Sequence, residues 1–567
     1  MNKKTAAVAV PLIPKVVVIP MAVMLVIGCW GLDRGGIWRD EAATFQVARR
    51  TFPQIWRLLH EVDAVHGLYY LLMRPVLAVH PGEVLLRLPS VLAAVTTAGL
   101  VAALGTRLAS PRVGLWAGLL YAVTPMVGHY AQEGRSYALV AAGATGATLL
   151  LVRALAGRSW TPYGVVLAVT CLLHEFAVLL LLAHAVTLAL TRVPRLVWTR
   201  WLCAAGAVTL TLLPLALLSH AQSAQVAWLR PPGQAVVDRL VRQFAGPTDE
   251  VLAPCLILMY AALRRPWPPR PGADPPLAAV ALPLLLVPPA MLITVSQWSP
   301  LYDDRYVLYA LAGAPLLVAA GADRIARAVP SLPRATVTAA GALAVAMVCA
   351  HQLPLLRQDR SMAHRGGDNL ATASALASRE LRPGDPVLFL PSLGRRAALA
   401  YPKGFRGVRD VALAESARAS GTLYGIEIGP AALRRQLAGL DHVWLIAEPY
   451  ALSPSWHPET PTDRLKRAVV DEEFVQRREY EGSGVKLRLY ERAPSGARGT
   501  ARPAPTAPHQ PDNPNPPKPP APPHPTHWSA HPTEPAARES PPRRTTSPPQ
   551  SAEAPEAPAH AAQPPPQ

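Results

Sequence analysis

Apolar runs as long as a membrane span alternate with short polar connections through residues 1–352, and the connections are of two kinds. One kind carries arginine and proline: Arg107 with Arg112, Arg153 with Arg158, Arg192 to Arg200, Arg264 to Arg270, and Arg324 to Arg334. The other gathers carboxylates, histidines and aromatic residues: Asp33 to Val65, Gly128 to Tyr137, His174-Glu175, His220 to Glu250, and Ser299 to Arg305. The first apolar run, Val16 to Leu32, follows Lys3, Lys4 and Lys15. Basic connections mark the cytoplasmic side, so the N-terminus is expected in the cytoplasm and the acidic, aromatic connections outside. With two crossings between successive basic connections, each near the ~20 residues a bilayer needs, the chain reads as about eleven spans ending outside.

The segment from His66 to His80 is apolar but short, and Arg74-Pro75 interrupts it. Counted as a crossing, it would put Arg107 and Arg112 on the wrong side. It is therefore expected to lie in or dip into the outer interface, its hydrogen-bond ladder disrupted by proline. Leu88 to Leu104 is then the next crossing.

Beyond His351 the pattern changes. Asp368-Asn369 can cap a helix reaching Leu381, and Arg382-Pro383-Gly384-Asp385 turns into the strand-like Val387 to Leu390. A helix from Ala431 to Leu440 and a second buried-type strand, Val443 to Ala447, follow. Phe474 to Tyr480 and Val485 to Tyr490 flank Gly482-Ser483-Gly484 as a hairpin. Residues 353–492 thus read as a small extracytoplasmic α/β domain, with no glycine-rich phosphate loop after a strand. Residues 493–567 are Pro, Ala, His, Ser and Thr with almost no large apolar side chains, which predicts a disordered, partly polyproline-II tail.

Composition agrees with a polytopic protein: half of the 567 residues are hydrophobic despite that polar end. The net charge of +18 comes from arginines scattered between spans. No basic face with interleaved aromatics forms, so nucleic acid is not an expected partner. Cys29, Cys171, Cys203, Cys255 and Cys349 lie in or beside apolar runs without Cys-x-x-Cys spacing, which implies neither zinc nor a disulfide framework. No small-x-small cleavage site follows the first run, so it reads as a retained signal anchor.

The chemistry gathers in the expected outer connections, first of all in the adjacent carboxylates Asp40 and Glu41 just past the first span. Trp38-Arg39-Asp40-Glu41 with Thr44 is followed by His66-Gly67-Leu68-Tyr69-Tyr70 and by Leu86-Arg87-Leu88-Pro89-Ser90. Tyr130-Ala131-Gln132-Glu133-Gly134-Arg135-Ser136-Tyr137 and Asp304-Arg305-Tyr306 complete the set. In their order and spacing these elements resemble polytopic GT-C glycosyltransferases of the protein-mannosyltransferase and aminoarabinose-transferase type, glycosyltransferase families 39 and 83. Two departures stand out: the family's His-Pro-Pro-Leu-Tyr-Tyr is one residue shorter here, and its Glu-Ala-Arg is Glu133-Gly134-Arg135.

The resemblance implies a membrane enzyme that takes a sugar from a polyprenyl-phosphate carrier on the outer face. It implies an acidic residue of the first outer loop in catalysis, matched by Asp40 with Glu41 as its supporting neighbour. Transfer of this kind needs a base and a phosphate clamp. Asp40 is expected to take the acceptor proton, while Arg135 and Arg305 meet the charge on the leaving phosphate. Arg305 pairing with Asp303 or Asp304, and Arg135 with Glu133, are the competing readings of those arginines. His66 and Tyr69 are expected to position sugar or phosphate, Glu133 to bind sugar hydroxyls or organise Arg135, and Tyr137, His174 and Asp304 to complete the binding surface. A divalent metal at Asp40 and Glu41 is conceivable, but adjacent carboxylates seldom aim at one ion.

The expected partners are a polyprenyl-phosphate-linked sugar, membrane lipids, and a glycan, glycolipid or protein acceptor, in the cell membrane. A transporter or flippase for lipid-linked sugars is the alternative. It would place ionisable groups near the bilayer midplane and show repeats with broken helices, whereas here the ionisable groups sit at the span ends.

Overall fold

A computed structural model of the chain describes residues 15–264, 274–328, 333–361, 370–458 and 460–494. Lys3, Lys4, the Asp368-Asn369 cap and the proline-rich stretch from residue 495 lie outside the described residues. The helical part runs through α1 (Lys15–Cys29), α2 (Arg39–Val47), α3 (Phe52–Glu61), α4 (Gly67–Val79), α5 (Glu83–Leu108) and α6 (Pro111–Val123). It continues through α7 (Pro125–Ala131), α8 (Tyr137–Leu155), α9 (Thr161–Leu173), α10 (Leu179–Leu190) and α11 (Arg195–Ala221). Then come α12 (Gln234–Ala245), α13 (Asp249–Leu263), α14 (Leu277–Val295), α15 (Gly313–Arg327) and α16 (Arg334–Asp359).

Among the described residues, six helical stretches are long and apolar enough to cross a bilayer: α5, α8, α11, α14, α16 and Asp304–Arg327. The last joins a 3₁₀ run, Asp304–Ala312, to α15. Shorter apolar helices accompany them at Lys15–Cys29, Ala64–Val79, Thr161–Leu173 and Glu175–Leu190. The chain is a multi-pass helical membrane protein. Helix α1 packs on α5 and α6, α5 on α8, α8 on α9 and α9 on α11. Helix α6 also meets α15 and α16, α14 joins α10 to α15, and α13 lies along α15.

Local sequence explains several element ends. The Ser110 hydroxyl accepts from the Val113 N–H at 3.3 Å, with Pro111 in the first turn, and so starts α6. Thr51 and Gln54 form a capping box at the start of α3. Glycine sets the closest helix contacts. A Cβ on Gly321 of α15 would lie 1.8 Å from the Leu258 carbonyl oxygen of α13. One on Gly114 of α6 would lie 2.3 Å from the Ala102 oxygen of α5. Small residues let backbones approach where lipid offers no hydrophobic drive between helices.

Three sequence expectations change in the structure. Helix α4 passes unbroken through Pro75. The proline forfeits only the bond to the Leu71 carbonyl, while Tyr69, Tyr70, Met73 and Leu77 stay buried and hold the helix. Helix α16 runs on to Asp359, so the change of composition after His351 falls inside a helix. The first span is Lys15–Cys29, ending before Leu32.

Three of the basic connections, those at Arg107–Arg112, Arg264 and Arg324–Arg327, meet at one end of the helical bundle. Arg107 pairs with Asp274 at 3.0 Å, Arg112 and Arg327 share Asp323, and Arg324 donates to the Arg264 carbonyl at 3.3 Å. The acidic and aromatic connections meet at the other end.

There the second part of the chain docks. It comprises α17 (Leu370–Glu380), β1 (Pro386–Leu390), α18 (Arg396–Ala400), β2 (Arg409–Asp410), β3 (Leu413–Glu415) and α19 (Ala417–Ser420). It ends with β4 (Ile426–Glu427), α20 (Pro430–Ala438), β5 (His442–Ala447), α21 (Pro461–Glu473), β6 (Phe474–Gly482) and β7 (Val485–Arg492). One sheet has the order β2-β1-β5-β7-β6, parallel among β2, β1 and β5 and antiparallel through β7 to β6. Strands β3 and β4 form a separate antiparallel pair. Leu388, Leu390, Val443 and Leu445 of the central strands pack with Leu433, Leu437 and Val469 of the helices. The central strands are buried on both faces, which is why they read as continuous apolar runs.

The sheet part rests directly on the helical part, and the described residues form one compact unit. The Tyr401 hydroxyl donates to Glu83 Oε1 at 2.5 Å and accepts from the Ile37 N–H at 2.8 Å. Arg39 reaches Glu448 at 3.3 Å, and α18 packs on α2.

Gly321→Leu should force α13 and α15 apart and cost about 1–3 kcal/mol or more by overpacking. The unfolding temperature of the purified protein should fall, whereas Gly206→Leu, where a Cβ would meet nothing within 4 Å, should leave it unchanged.

Candidate active site

Two consecutive carboxylates at the start of α2 point to different partners. Asp40 and Glu41 both lie in the first turn, where the helix dipole favours negative charge. Glu41 is fully buried and forms a two-pronged pair with Arg87 of α5, at 2.9 and 2.8 Å. Arg87 is 1% exposed and also donates to the carbonyls of Leu32, Arg34 and Gly36 at 3.1, 3.1 and 3.0 Å. The Gly134 N–H donates to Glu41 Oε1 at 2.9 Å, and the Ser90 hydroxyl to the Glu133 carbonyl at 2.6 Å. This clamp ties the first loop, α5 and the 132–136 loop together. Glu41, expected as the catalytic neighbour of Asp40, is committed to it.

Asp40 faces the other way. Its Oδ2 accepts from Arg305 Nη1 at 2.6 Å, and Arg135 and His66 lie within electrostatic reach. Burial opposes the charge on Asp40, but Arg305 and then Arg135 outweigh it, and the carboxyl is held below its ordinary range. Arg305 sits on the 3₁₀ run before α15, and its N–H donates to Asp303 Oδ1 at 3.2 Å. Of the two acids considered as partners for Arg305, Asp303 approaches its Nε at 3.4 Å. Asp304 turns outward to Arg239 and Gln243 of α12, at 2.6 and 3.1 Å. Asp304 therefore latches α12 to the site without facing Asp40.

The 132–136 loop supplies the next groups. Arg135 Nη1 donates weakly to the Tyr70 hydroxyl at 3.4 Å, and Tyr70 donates to Asp63 Oδ2 at 2.5 Å. Asp63 itself has a left-handed backbone, φ 62°, just before His66. Arg135 meets Glu133 through the backbone, its N–H donating to the Glu133 carbonyl at 2.8 Å. Both Glu133 carboxyl oxygens, His66 Nδ1, Arg135 Nε, Ser136 Oγ and His174 Nδ1 are buried and find no protein partner among the described residues. Burying a polar group unpaired costs about 1–3 kcal/mol, so such a cluster around one ion pair calls for water or a polar ligand.

Burial raises the Glu133 carboxyl to about 7, only partly opposed by Arg305 and His129. Burial and the charges of His66, Arg305 and Arg135 push the His174 ring down to about 3, so it is neutral at physiological pH. Aromatic rings wall this space: Tyr137, His174 and Tyr306 lie with centroids 4.9–6.3 Å apart, and the Arg305 guanidinium is 5.7 Å from the rings of Tyr137 and Tyr306. Tyr69 is fully buried on α4, within electrostatic reach of Arg135 and Glu133. Among the described residues, no group of three or more His, Cys, Asp and Glu side chains is placed to hold a metal ion.

The structure thus brings Asp40, His66, Tyr69, Glu133, Arg135, Tyr137, His174 and Arg305 together, and sets Glu41 and Asp304 behind them. Several residues had no role assigned from the sequence, although Arg87 stood in one of its motifs. Arg87 carried a signal, since a charge inside an apolar helix is rarely idle. Arg239, Arg396, Tyr424 and Glu448 carried none. Tyr424, from the sheet part, lies within electrostatic reach of Arg396, Asp63 and Asp40. Arg396 pairs with Glu448, which also holds Arg39 beside Asp40.

Residues 68–218 match the family described as dolichyl-phosphate-mannose-protein mannosyltransferase. No curated protein matches the chain by sequence. Among solved structures, the crystal structure of ArnT from Cupriavidus metallidurans in the apo state is similar with a TM-score of 0.54 at 13% identity. The same protein bound to undecaprenyl phosphate is similar with a TM-score of 0.52 at 14% identity. Each comparison covers 83% of this chain and 97% of the other. The chain has the fold of ArnT, the GT-C fold that the sequence motifs resemble.

Removing one partner of the buried clamp leaves the other charge unpaired, so Arg87→Met or Glu41→Gln should each cost about 3–5 kcal/mol. Thermal unfolding should register that loss, while the double variant Glu41→Gln/Arg87→Met should recover part of it. Glu133 gives a pH signature. With its folded pKa raised from 4.5 to about 7, the native state holds the extra proton. Its contribution to stability is then fully present below about pH 4.5 and lost as pH rises towards 7. Unfolding temperatures at pH 5 and pH 8 should differ less in Glu133→Gln than in the wild-type protein.

Proposed function

We propose that the protein transfers a sugar from a polyprenyl-phosphate carrier to an acceptor hydroxyl at the extracytoplasmic membrane face. The observation that carries this reading is the half-buried Asp40–Arg305 pair at 2.6 Å, with Arg135 beside it and, among the described residues, unpartnered polar groups around it. The ArnT-like fold supports it, because one ArnT structure holds undecaprenyl phosphate. The family match over residues 68–218 supports it as well. The N-terminus is then cytoplasmic, the chain crosses about eleven times, and the sheet part lies outside over the site.

In this reaction the acceptor oxygen attacks the anomeric carbon, and the bond from that carbon to the carrier phosphate oxygen breaks. The electron pair leaves with the phosphate, and the acceptor proton goes to Asp40. Arg305 and Arg135 receive the charge building on the phosphate, for which guanidinium geometry is suited. Arg305 holds both ends of the exchange. When the carrier phosphate draws the guanidinium, Asp40 loses its strongest stabilising partner and becomes a better base. His66, Tyr69 and His174 line the space between these groups and the aromatic wall of Tyr137. Glu41 acts through Arg87 as a positioning residue, and Asp304 holds α12 at the rim.

A second assignment within the same reaction rests on Glu133, whose pKa of about 7 lies nearer the operating pH than that of Asp40. Membranes carrying each variant, supplied with radiolabelled polyprenyl-phosphate sugars, separate the two. Asp40→Asn should lower transfer about 10²–10⁴-fold with protein level and carrier binding retained, and Glu133→Gln less than about tenfold. The reverse order would assign the base to Glu133. Normal transfer in both would remove this mechanism, and label appearing across the membrane without an acceptor product would favour the flippase alternative.

A further inference from the structure

A second cationic cluster lies away from Asp40, where the first outer loop meets the sheet part. Arg49 and Arg50 lie in the turn after α2, Arg57 lies on α3, Arg74 on α4, and Arg418 on α19. The oxygens that Arg50, Arg57 and Arg74 reach are neutral. Arg50 Nη2 donates to the Gln46 side chain at 3.2 Å and the Thr422 carbonyl at 2.9 Å. Arg57 donates to the Ala419 carbonyl at 2.9 Å, and Arg74 Nε to the Arg50 carbonyl at 3.2 Å. Arg49 and Arg74 lie over the rings of Phe45 and Phe52, at 4.8 and 4.1 Å. No ion pair joins any of the five to a carboxylate among the described residues.

Arg50 is the second, independent observation. It is 2% exposed, and its Nε and Nη1 are buried without a protein partner among the described residues. Burial, then the like charge of Arg418, lowers Arg50 to about 10, and the same two causes lower Arg49. A fold that spends burial on an arginine, and sets others around it, leaves a site short of negative charge. Arg49 and Arg418 are exposed, so the cluster opens to solvent, and the buried Arg50 lies within electrostatic reach of Arg418.

We propose that this arginine seam binds a phosphate-class anionic group carried by the acceptor substrate. The proposal rests on the transfer reading above and adds the acceptor's chemical class to it. Two turns of α2, a rise of about 10 Å, and the turn after it separate Arg50 from Asp40, so the anion docks at a distance from the reacting hydroxyl. Tyr70 spans the gap. It packs with Val47, Ile55 and Leu58 beside Leu423, and its hydroxyl meets Arg135. Guanidinium clusters suit phosphate oxygens, and desolvation at Arg50 strengthens that preference.

The test uses the full chain in nanodiscs of zwitterionic lipid, titrated with inorganic pyrophosphate and followed by equilibrium binding. Arg305→Gln is included to silence the proposed carrier-phosphate site. Saturable binding should persist in Arg305→Gln and weaken about tenfold or more in Arg49→Glu and Arg418→Glu, which change exposed residues. Raising the salt concentration should weaken it further. Undecaprenyl phosphate binding, measured separately, should be unchanged in Arg49→Glu and Arg418→Glu, so a failure of the carrier reading shows as loss in that measurement alone. Nanodiscs containing phosphatidylglycerol distinguish the sources of the anion. Persistent pyrophosphate binding there assigns the seam to a soluble or glycan-borne phosphate, and complete competition assigns it to a lipid phosphate headgroup. No saturable binding in Arg305→Gln, or equal binding in the two glutamate variants, would overturn the proposal.

Discussion

The buried Glu41–Arg87 pair is the contact on which the rest of the site depends. A single guanidinium on α5 gathers three carbonyls of the 32–36 loop and both oxygens of Glu41. The same carboxylate takes the Gly134 N–H. Two desolvated charges are costly to bury, and the multiple hydrogen bonds offset that cost. The consequence is positional. With Glu41 held, α2 starts at one place and in one rotation, so its neighbour Asp40 projects about 100° away, towards Arg305. With Gly134 held, Arg135 follows on the same side.

Around Asp40 the protein has arranged opposing charges in a poorly solvated space. Asp40 is held ionised by two arginines, whereas Glu133, buried with no carboxylate partner, keeps its proton to about pH 7. Two acids within electrostatic reach of one another are driven to different protonation states by their surroundings. That separation is how one site can hold a cation clamp and a titratable acid together. The rings of Tyr137, His174 and Tyr306 border one side of Arg305, the arginine paired with Asp40.

Much of the site was legible because its residues lie in connections that differ chemically from the others. Asp40, His66, Glu133, Arg135, His174 and Arg305 come from connections of the acidic, aromatic kind, which charge parity along the chain had expected on one side. The roles within the pair Asp40-Glu41 were not legible, since adjacent residues on a helix diverge by about 100° and sequence does not say which faces the space. Asp304 and Arg305 divide in the same way, one to α12 and the other to Asp40. Pro75 shows the converse: a residue that argues for a broken helix was overruled by the burial of Tyr69, Tyr70, Met73 and Leu77 beside it.

Apolar run length, basic loops and strand-like segments by themselves determined a multi-pass helical protein with a mixed-sheet part, because bilayer thickness and backbone hydrogen bonding leave few alternatives for such runs. The GT-C resemblance was likewise written in the order of short motifs. Only the tertiary structure decided which acid faces the arginines, that Arg87 is the clamp, and that Tyr424, Glu448 and Arg418 come from far along the chain to border the first loop. Those contacts join residues hundreds of positions apart through side-chain geometry, and no local pattern of hydrophobicity or charge encodes a meeting of that kind.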